Sequence, residues 1–122
     1  VWDEQGNLVG GLYGLTIGKV YFGESKFSRV RDASKIATAY LHRHLAAWGY
    51  RLCDAKWMTP HLETLGFYPM PRDQFLSLLP WYLEEPTPAG RWEIDPTLDP
   101  TDWPKEPGDV PPPSASTSRK VA

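Results

Sequence analysis

Cysteine occurs once, at Cys53, in this chain of 122 residues. A single thiol excludes an intramolecular disulfide framework and any multi-cysteine zinc site, and it favours a reducing compartment. No apolar run approaches the ~18–20 residues that a membrane span needs. Neither sign of charge dominates: 13 Lys and Arg stand against 15 Asp and Glu, a formal net of −2. Taken whole, that balance does not mark a nucleic-acid binder. A leader is also missing, but the sequence opens on Val1 rather than methionine. The chain is therefore expected to be an excised domain or the tail of a longer gene product, and the missing leader proves little. Its length suits one domain with a real core, not two.

What is abundant is unevenly placed. Of 13 prolines, only Pro60, Pro69 and Pro71 precede residue 80. Residues 1–79 hold nine basic against seven acidic side chains, and residues 80–122 hold four against eight. The overall charge thus averages a basic domain with an acidic, proline-rich remainder. The run Pro111-Pro112-Pro113-Ser114-Ala115-Ser116-Thr117-Ser118 has too little apolar surface to offset its ordering entropy. We expect a working domain over 1–79, an extended strap over 80–97 that could pack through Trp81 and Trp92, and a disordered tail over 98–122.

The coarse pattern predicts strands at Val1–Glu4, Leu8–Leu15 and Lys19–Gly23, with turns at Gln5-Gly6-Asn7 and near Ile17-Gly18. Glycines inside the second strand signal a bulge or a close backbone approach. A helix is predicted over 33–48, where Ala33, Ile36, Ala37, Tyr40, Leu41, His44, Leu45 and Trp48 recur at three- and four-residue steps. Asp32 is placed to cap it and Gly49 to end it. Tyr50–Lys56 reads as a buried strand, Pro60–Leu65 as a short helix and Gly66–Met70 as a strand. Pro71-Arg72 opens a last helix through Leu79. This order implies an α+β fold, a mixed sheet flanked by helices.

Two groups of residues could carry chemistry. The first runs from Phe22-Gly23-Glu24-Ser25-Lys26-Phe27-Ser28-Arg29 into Asp32-Ala33-Ser34-Lys35. A strand-leaving glycine, one acid between aromatics and basic residues at a helix start suit a phosphate or ribose. Arg29, Arg31 and Lys35 would add contacts to a nucleic-acid backbone. The plainer reading is a capped helix with solvated basic residues. The second group is Asp54-Ala55-Lys56: an aspartate in an apolar strand is costly unless paired, and Lys56 projects from the same face. The plainer reading there is a surface ion pair. His42 and His44 make a poor metal pair, one solvated and one half-buried, and Cys53 reads as core. His61, near a helix start, reads as a cap or packing residue. No metal or cofactor motif rises above noise.

Several blocks together carry a resemblance. Gly10-Gly11-Leu12-Tyr13-Gly14, Phe22-Gly23-Glu24-Ser25, Phe27-Ser28-Arg29, Ala33-Ser34-Lys35, Leu52 through Asp54, His61, Leu65-Gly66 and Pro71-Arg72 resemble the bacterial leucyl/phenylalanyl-tRNA–protein transferases. The blocks follow the family order from Trp2 to about Leu79. The resemblance implies the family's C-terminal catalytic domain, with a GNAT (acyl-CoA N-acyltransferase)-like fold, and the absence of its smaller N-terminal domain.

The resemblance also implies a reaction: leucine or phenylalanine passes from its tRNA to the N-terminal amine of proteins beginning with Arg or Lys, marking them for degradation. No cofactor is implied, and the setting would be cytoplasmic, the protein a monomer. Glu24 and Asp54 fall at the positions that bind the acceptor, with Asp54 and Lys56 at the catalytic positions. Leu12, Phe22, Lys26 and Phe27 fall where the donor side chain would be held. Ser28, Arg29, Arg31, Ser34 and Lys35 form the expected tRNA-facing surface. An acetyl-CoA-dependent N-acetyltransferase, or a non-catalytic RNA- or peptide-binding relative, are the alternatives. The stretch Ser28–Ala33 lacks the glycines of a pyrophosphate loop, against the first.

Two positions depart from the family pattern, which has glutamine at Lys56 and methionine at Lys26. Each departure brings a charge close to the reacting groups, so we expect altered donor or acceptor choice. Lys56→Gln and Lys26→Met should each change the ratio of phenylalanine to leucine transferred, or the preference for an Arg-started peptide; wild-type-like transfer unchanged by both would refute the expectation.

Overall fold

The structure is a computed structural model that describes residues 1–55, 60–64 and 67–102. Six elements follow in the order β1 (Gly10–Ile17), β2 (Val20–Ser28), α1 (Ala33–Ala47), β3 (Leu52–Asp54), α2 (Pro60–Thr64) and α3 (Arg72–Leu83). The sheet order is β1-β2-β3. β1 and β2 form an antiparallel hairpin, whereas β3 runs parallel to β2. The parallel pairing requires a crossover, and α1 supplies it. The fold is a small mixed α+β unit.

The hairpin turns on Gly18 and Lys19. Gly18 has φ of 58°, and Lys19 is not among the residues with positive φ, the pattern of a type II′ turn. Side chains then alternate along β2. Val20 (0% exposed) meets Leu52, its β3 neighbour, and Tyr82 of α3 in the main buried cluster. Phe22, Phe75, Leu78 and Leu79 pack around that cluster. Tyr21 faces the other way, edge-on to His42 of α1. Helices therefore cover both sheet faces.

The boundaries differ from those predicted in several places, and the strand expected over Tyr50–Lys56 is limited to Leu52–Asp54, with Lys56 outside the described residues. No strand forms over Val1–Glu4, where only Trp2 bridges to Leu8. The Asp3 carboxylate instead accepts bonds from the Gln5 and Asn7 backbone N–H groups, a local turn that competes with a ladder. β1 starts and ends two residues later than expected, and β2 runs five residues beyond Gly23. Its polar end pairs with β1 while facing solvent, so apolar alternation did not mark it. Phe67–Met70 forms no strand; Pro69 has no N–H to give a ladder. α3 continues through Pro80 to Leu83. Burial of Tyr82 and acceptance of the Lys19 N–H by its carbonyl at 2.8 Å outweigh the proline's missing hydrogen bond. A domain limit at residue 79 would fall inside α3.

Asp32 does not cap α1 as expected. It adopts a left-handed conformation (φ 64°) with no side-chain cap bond, and its carboxylate pairs with Lys35 at 3.3 Å and Arg31 at 3.7 Å. Ser28 Oγ, from the end of β2, accepts the Ser34 N–H at 3.3 Å instead. Gly49 does end the helix, with φ of 80°.

The segment after α3 lies against the fold at three points. Thr87 Oγ1 accepts the Gly18 N–H at 2.8 Å. Trp92 packs 5.2 Å from Trp48 and 6.1 Å from Tyr50, centroid to centroid. His44 (4% exposed) bonds the Tyr40 carbonyl through Nδ1 and accepts the Asp95 N–H at Nε2. The sequence reading of one histidine solvated and one half-buried therefore holds in part: His42 is half-buried toward the sheet, but neither is solvated, because His44 lies buried under the strap. The strap expected over 80–97 thus touches the fold as far as Asp95, and the tail predicted over 98–122 falls mostly outside the described residues.

At Gly18 a Cβ would run into the carbonyl oxygen of Tyr82. Gly18→Ala should cost about 1–3 kcal/mol through overpacking and the left-handed backbone, read as a lower urea midpoint at unchanged slope.

Candidate functional site

A cavity of about 280 Å³ opens between the α1 face of the sheet and the end of β3. β1 gives Leu12 to its wall, and β2 gives Tyr21, Glu24 and Lys26. α1 contributes Thr38 and His42, β3 contributes Cys53 and Asp54, and Leu62 and Phe67 close the far side. Asp54 reaches the cavity because it is the last residue of β3, and sites in sheets with parallel strands form beyond their carboxyl ends.

Glu24 reaches it through a break in register. Tyr13 pairs with Ser25 but Gly14 pairs with Gly23, so Glu24 is the one extra residue on β2. Such a bulge re-aims its side chain. Gly14 makes it possible: a Cβ there would collide with the Phe22 carbonyl and lie 2.6 Å from the Tyr21 hydroxyl oxygen. The bulge also shifts the alternation by one. Lys26 and Ser28 come to the face of Leu12 and Gly10, their β1 partners, and Phe27 goes to the other, over Gly11.

Of the residues expected to act, the fold gathers Leu12, Glu24, Lys26 and Asp54 around one cavity. Lys26 sits there exposed, its stem able to line the wall with its charge in water. Phe22 packs in the Val20 cluster on the opposite face, and Phe27 is 42% exposed; neither lines the cavity. Ser28, Arg29, Arg31, Ser34 and Lys35 fall together at the β2–α1 junction. Arg31 and Lys35 pair there with Asp32, while Arg29 joins no ion pair among the described residues. Exposed pairs of this kind are worth little. Lys56 lies outside the described residues, and His61 is placed on α2 by its backbone alone.

Sequence reasoning missed Tyr21, Thr38 and His42 as cavity residues, and took Cys53 simply as core. The signals were present as the alternation of β2 and the spacing of Thr38 and His42, four apart on one helix face. Cys53 Sγ lies 3.7 Å from His42 Nε2, a contact that resembles a nucleophile and its base. Burial rules that out: it pushes the Cys53 thiol up to about 12, helped by the Asp54 charge, and the His42 imidazole down to about 4. At neutral pH neither ionises, so the pair is packing. Among the described residues no cluster of three or more His, Cys, Asp or Glu could hold a metal ion, and no helix is long and apolar enough to cross a membrane.

A model of one protein family, described as leucyl/phenylalanyl-tRNA protein transferase, matches residues 1–80. Curated proteins bearing that name are similar to the chain. The one from Chromohalobacter salexigens is 50% identical over 99 residues, which cover 81% of this chain and 38% of the relative. The one from Nitrosomonas eutropha is 50% identical over 102 residues, 84% of this chain and 42% of the relative. The one from Cellvibrio japonicus is 49% identical over 98 residues. The chain spans about two-fifths of the length of these relatives.

The depressed His42 gives a pH dependence of stability. The unfolded chain takes up a proton near 6.5, while the fold resists until about 4. Between those values the unfolded state binds more protons, so stability falls as pH is lowered and is fully present above about 6.5. The loss should reach roughly 3 kcal/mol. Urea unfolding at stepped pH checks it, and His42→Gln should flatten the slope in that window.

Proposed function

The chain belongs to the leucyl/phenylalanyl-tRNA protein transferase family, and from that premise we propose that it carries the aminoacyl-transfer centre for moving leucine or phenylalanine from its tRNA to the N-terminal amine of proteins beginning with Arg or Lys. The observation that carries this reading is the convergence of Leu12, Glu24, Lys26 and Asp54 on one cavity from three strands. The three-stranded mixed sheet with helices on both faces is compatible with a GNAT-like core, and we read it as one. We place it in the cytoplasm, where charged tRNA and newly exposed N-termini meet, and read it as a monomer.

In this proposal the cavity takes the donor's apolar side chain against Leu12, Leu62 and Phe67. Glu24 and Asp54 receive the cationic acceptor residue and its α-amine. Arg29, Arg31 and Lys35, with Ser28 and Ser34, hold tRNA phosphates at the start of α1. The chemistry asks little of a nucleophile. The donor is an activated ester, and an α-amine of pKa about 7.7–8.0 is roughly one-tenth neutral at pH 7. The amine attacks the ester carbonyl, and the tetrahedral intermediate expels the ribose hydroxyl. Orientation and donors aimed at the developing oxyanion then supply most of the acceleration. Lys56, assigned on sequence position alone, is proposed as one such donor. An inert Cys53–His42 pair fits a mechanism without a covalent enzyme intermediate.

The test is transfer of radiolabelled phenylalanine from charged tRNA to a peptide beginning with arginine, with acetyl-CoA as the competing donor. Transfer from tRNA alone supports the proposal. Labelling from acetyl-CoA, or tRNA binding without transfer, would replace it by an acetyltransferase or a non-catalytic binding module. Glu24→Gln should raise KM for the Arg-started peptide by roughly 10- to 100-fold, the loss of a hydrogen bond to a charged group. Arg29→Ala should weaken tRNA binding and lower the salt dependence by about one released counterion.

A further inference from the structure

His44, in the last turn of α1, takes no part in the proposed reaction and is only 4% exposed. Both of its ring nitrogens are engaged. Nδ1 lies 2.7 Å from the Tyr40 carbonyl oxygen, and Nε2 lies 2.9 Å from the Asp95 backbone nitrogen. A carbonyl can only accept and an amide N–H can only donate. The partners therefore fix the ring as the neutral tautomer with its proton on Nδ1. The Asp95 bond ties the strap to α1 across 51 positions of sequence. Beside it, Trp92 packs on Trp48 and Tyr50. Under the strap lies a second cavity, of about 640 Å³, lined by Trp92 and Ile94 of the strap and by Ile36, Tyr40 and His44 of α1.

We propose that His44 is a pH-sensitive latch: the neutral ring holds the strap on α1, and a proton taken up at Nε2 releases the strap and opens the cavity beneath it. Protonation and latching exclude each other. The imidazolium donates from both nitrogens, so Nε2–H would meet the Asp95 N–H donor to donor. A buried donor without an acceptor costs more than the bond it replaces. The charged groups around the ring decide what an incoming proton meets. Hydrogen bonds from Thr97, followed by the charges of His44 and Arg43, hold the Asp95 carboxyl below the usual carboxylate range. Asp95 therefore stays ionised and draws a proton toward the ring, as does the C-terminal end of α1. Arg43 opposes it, its charge reaching Asp95 and Asp99 alike. Glu93 lines the same cavity, as does Val1, whose amine donates to the Gly10 carbonyl. Attraction thus favours the proton, and its cost falls on the Asp95 N–H. Asp95 Oδ1 already accepts the Thr97 N–H and hydroxyl, a turn that keeps the carboxylate within the strap rather than on His44.

The test is nuclear magnetic resonance on the ¹⁵N-labelled full chain between about pH 8 and 5, the range in which a histidine switch operates. His42 stays neutral in the fold there, since burial pushes it down to about 4. The imidazole ¹⁵N shifts of His44 report its tautomer and its second proton, and hydrogen exchange reports the Asp95 amide. Neutral His44 should carry its proton on Nδ1 with the Asp95 amide protected. Once His44 is charged, that protection should fall roughly tenfold or more, the loss of one hydrogen bond. The Lys19 amide, bound to the Tyr82 carbonyl, should stay protected. His44→Gln offers an acceptor that does not titrate, and the pH course of Asp95 exchange should disappear in it. The inference is overturned by a neutral ring protonated on Nε2, by no proton uptake at His44 in this range, or by Asp95 protection that survives the uptake. Equal loss at Lys19, which marks global unfolding, or the same pH course in His44→Gln, overturns it as well.

Discussion

One extra residue on β2 organises the functional half of this fold. Opposite Tyr13 and Gly14, Glu24 breaks the register of the hairpin, and everything beyond it changes face. Before the break, Val20 and Phe22 serve the α3 core while Tyr21 faces α1. After it, Lys26 joins Leu12 at the cavity and Phe27 is turned away over Gly11. The same shift brings Ser28 to the α1 face, where its hydroxyl takes the Ser34 N–H. An unbroken ladder would have put Phe27 beside Leu12 and left the start of α1 without this cap. The bulge in turn depends on Gly14, because any side chain there would meet the β2 backbone.

The second organising feature is the way the chain after α3 returns to the hairpin turn. The Tyr82 carbonyl and the Thr87 hydroxyl accept the two N–H groups of Gly18 and Lys19, groups that a free turn would offer to water. Trp92 and Asp95 then reach Trp48 and His44 at the far end of α1. These contacts bind the acidic, proline-rich part of the sequence to the basic part. Composition divides the chain near residue 80, whereas packing carries across that point.

The cavity combines neutral buried groups and acidic and basic ones in a small space. Burial keeps His42 and Cys53 neutral, so two residue types often associated with catalysis act here as wall. The groups that bear charge, Glu24, Lys26 and Asp54, stand on the bulge, beside it and at a strand end. Those are positions where a side chain can face both the cavity and water. That division suits a reaction governed by placement of an activated ester and an amine.

By itself the sequence determined the features that rest on near neighbours. The apolar steps from Ala33 to Leu45 specify α1, Gly18 specifies a two-residue turn, and Gly49 ends the helix. The ordered blocks from Gly10 to Arg72 specify the family, since spacing and identity survive in the chain whatever its fold. Only the tertiary structure decided which side chains meet. The bulge, the cap from Ser28 rather than Asp32, the passage of α3 through Pro80 and the separation of Phe22 and Phe27 from Leu12 each turn on contacts between residues distant in sequence. A period-two pattern gives relative faces only while the register is unbroken, and a single extra residue on one strand was enough to reassign them.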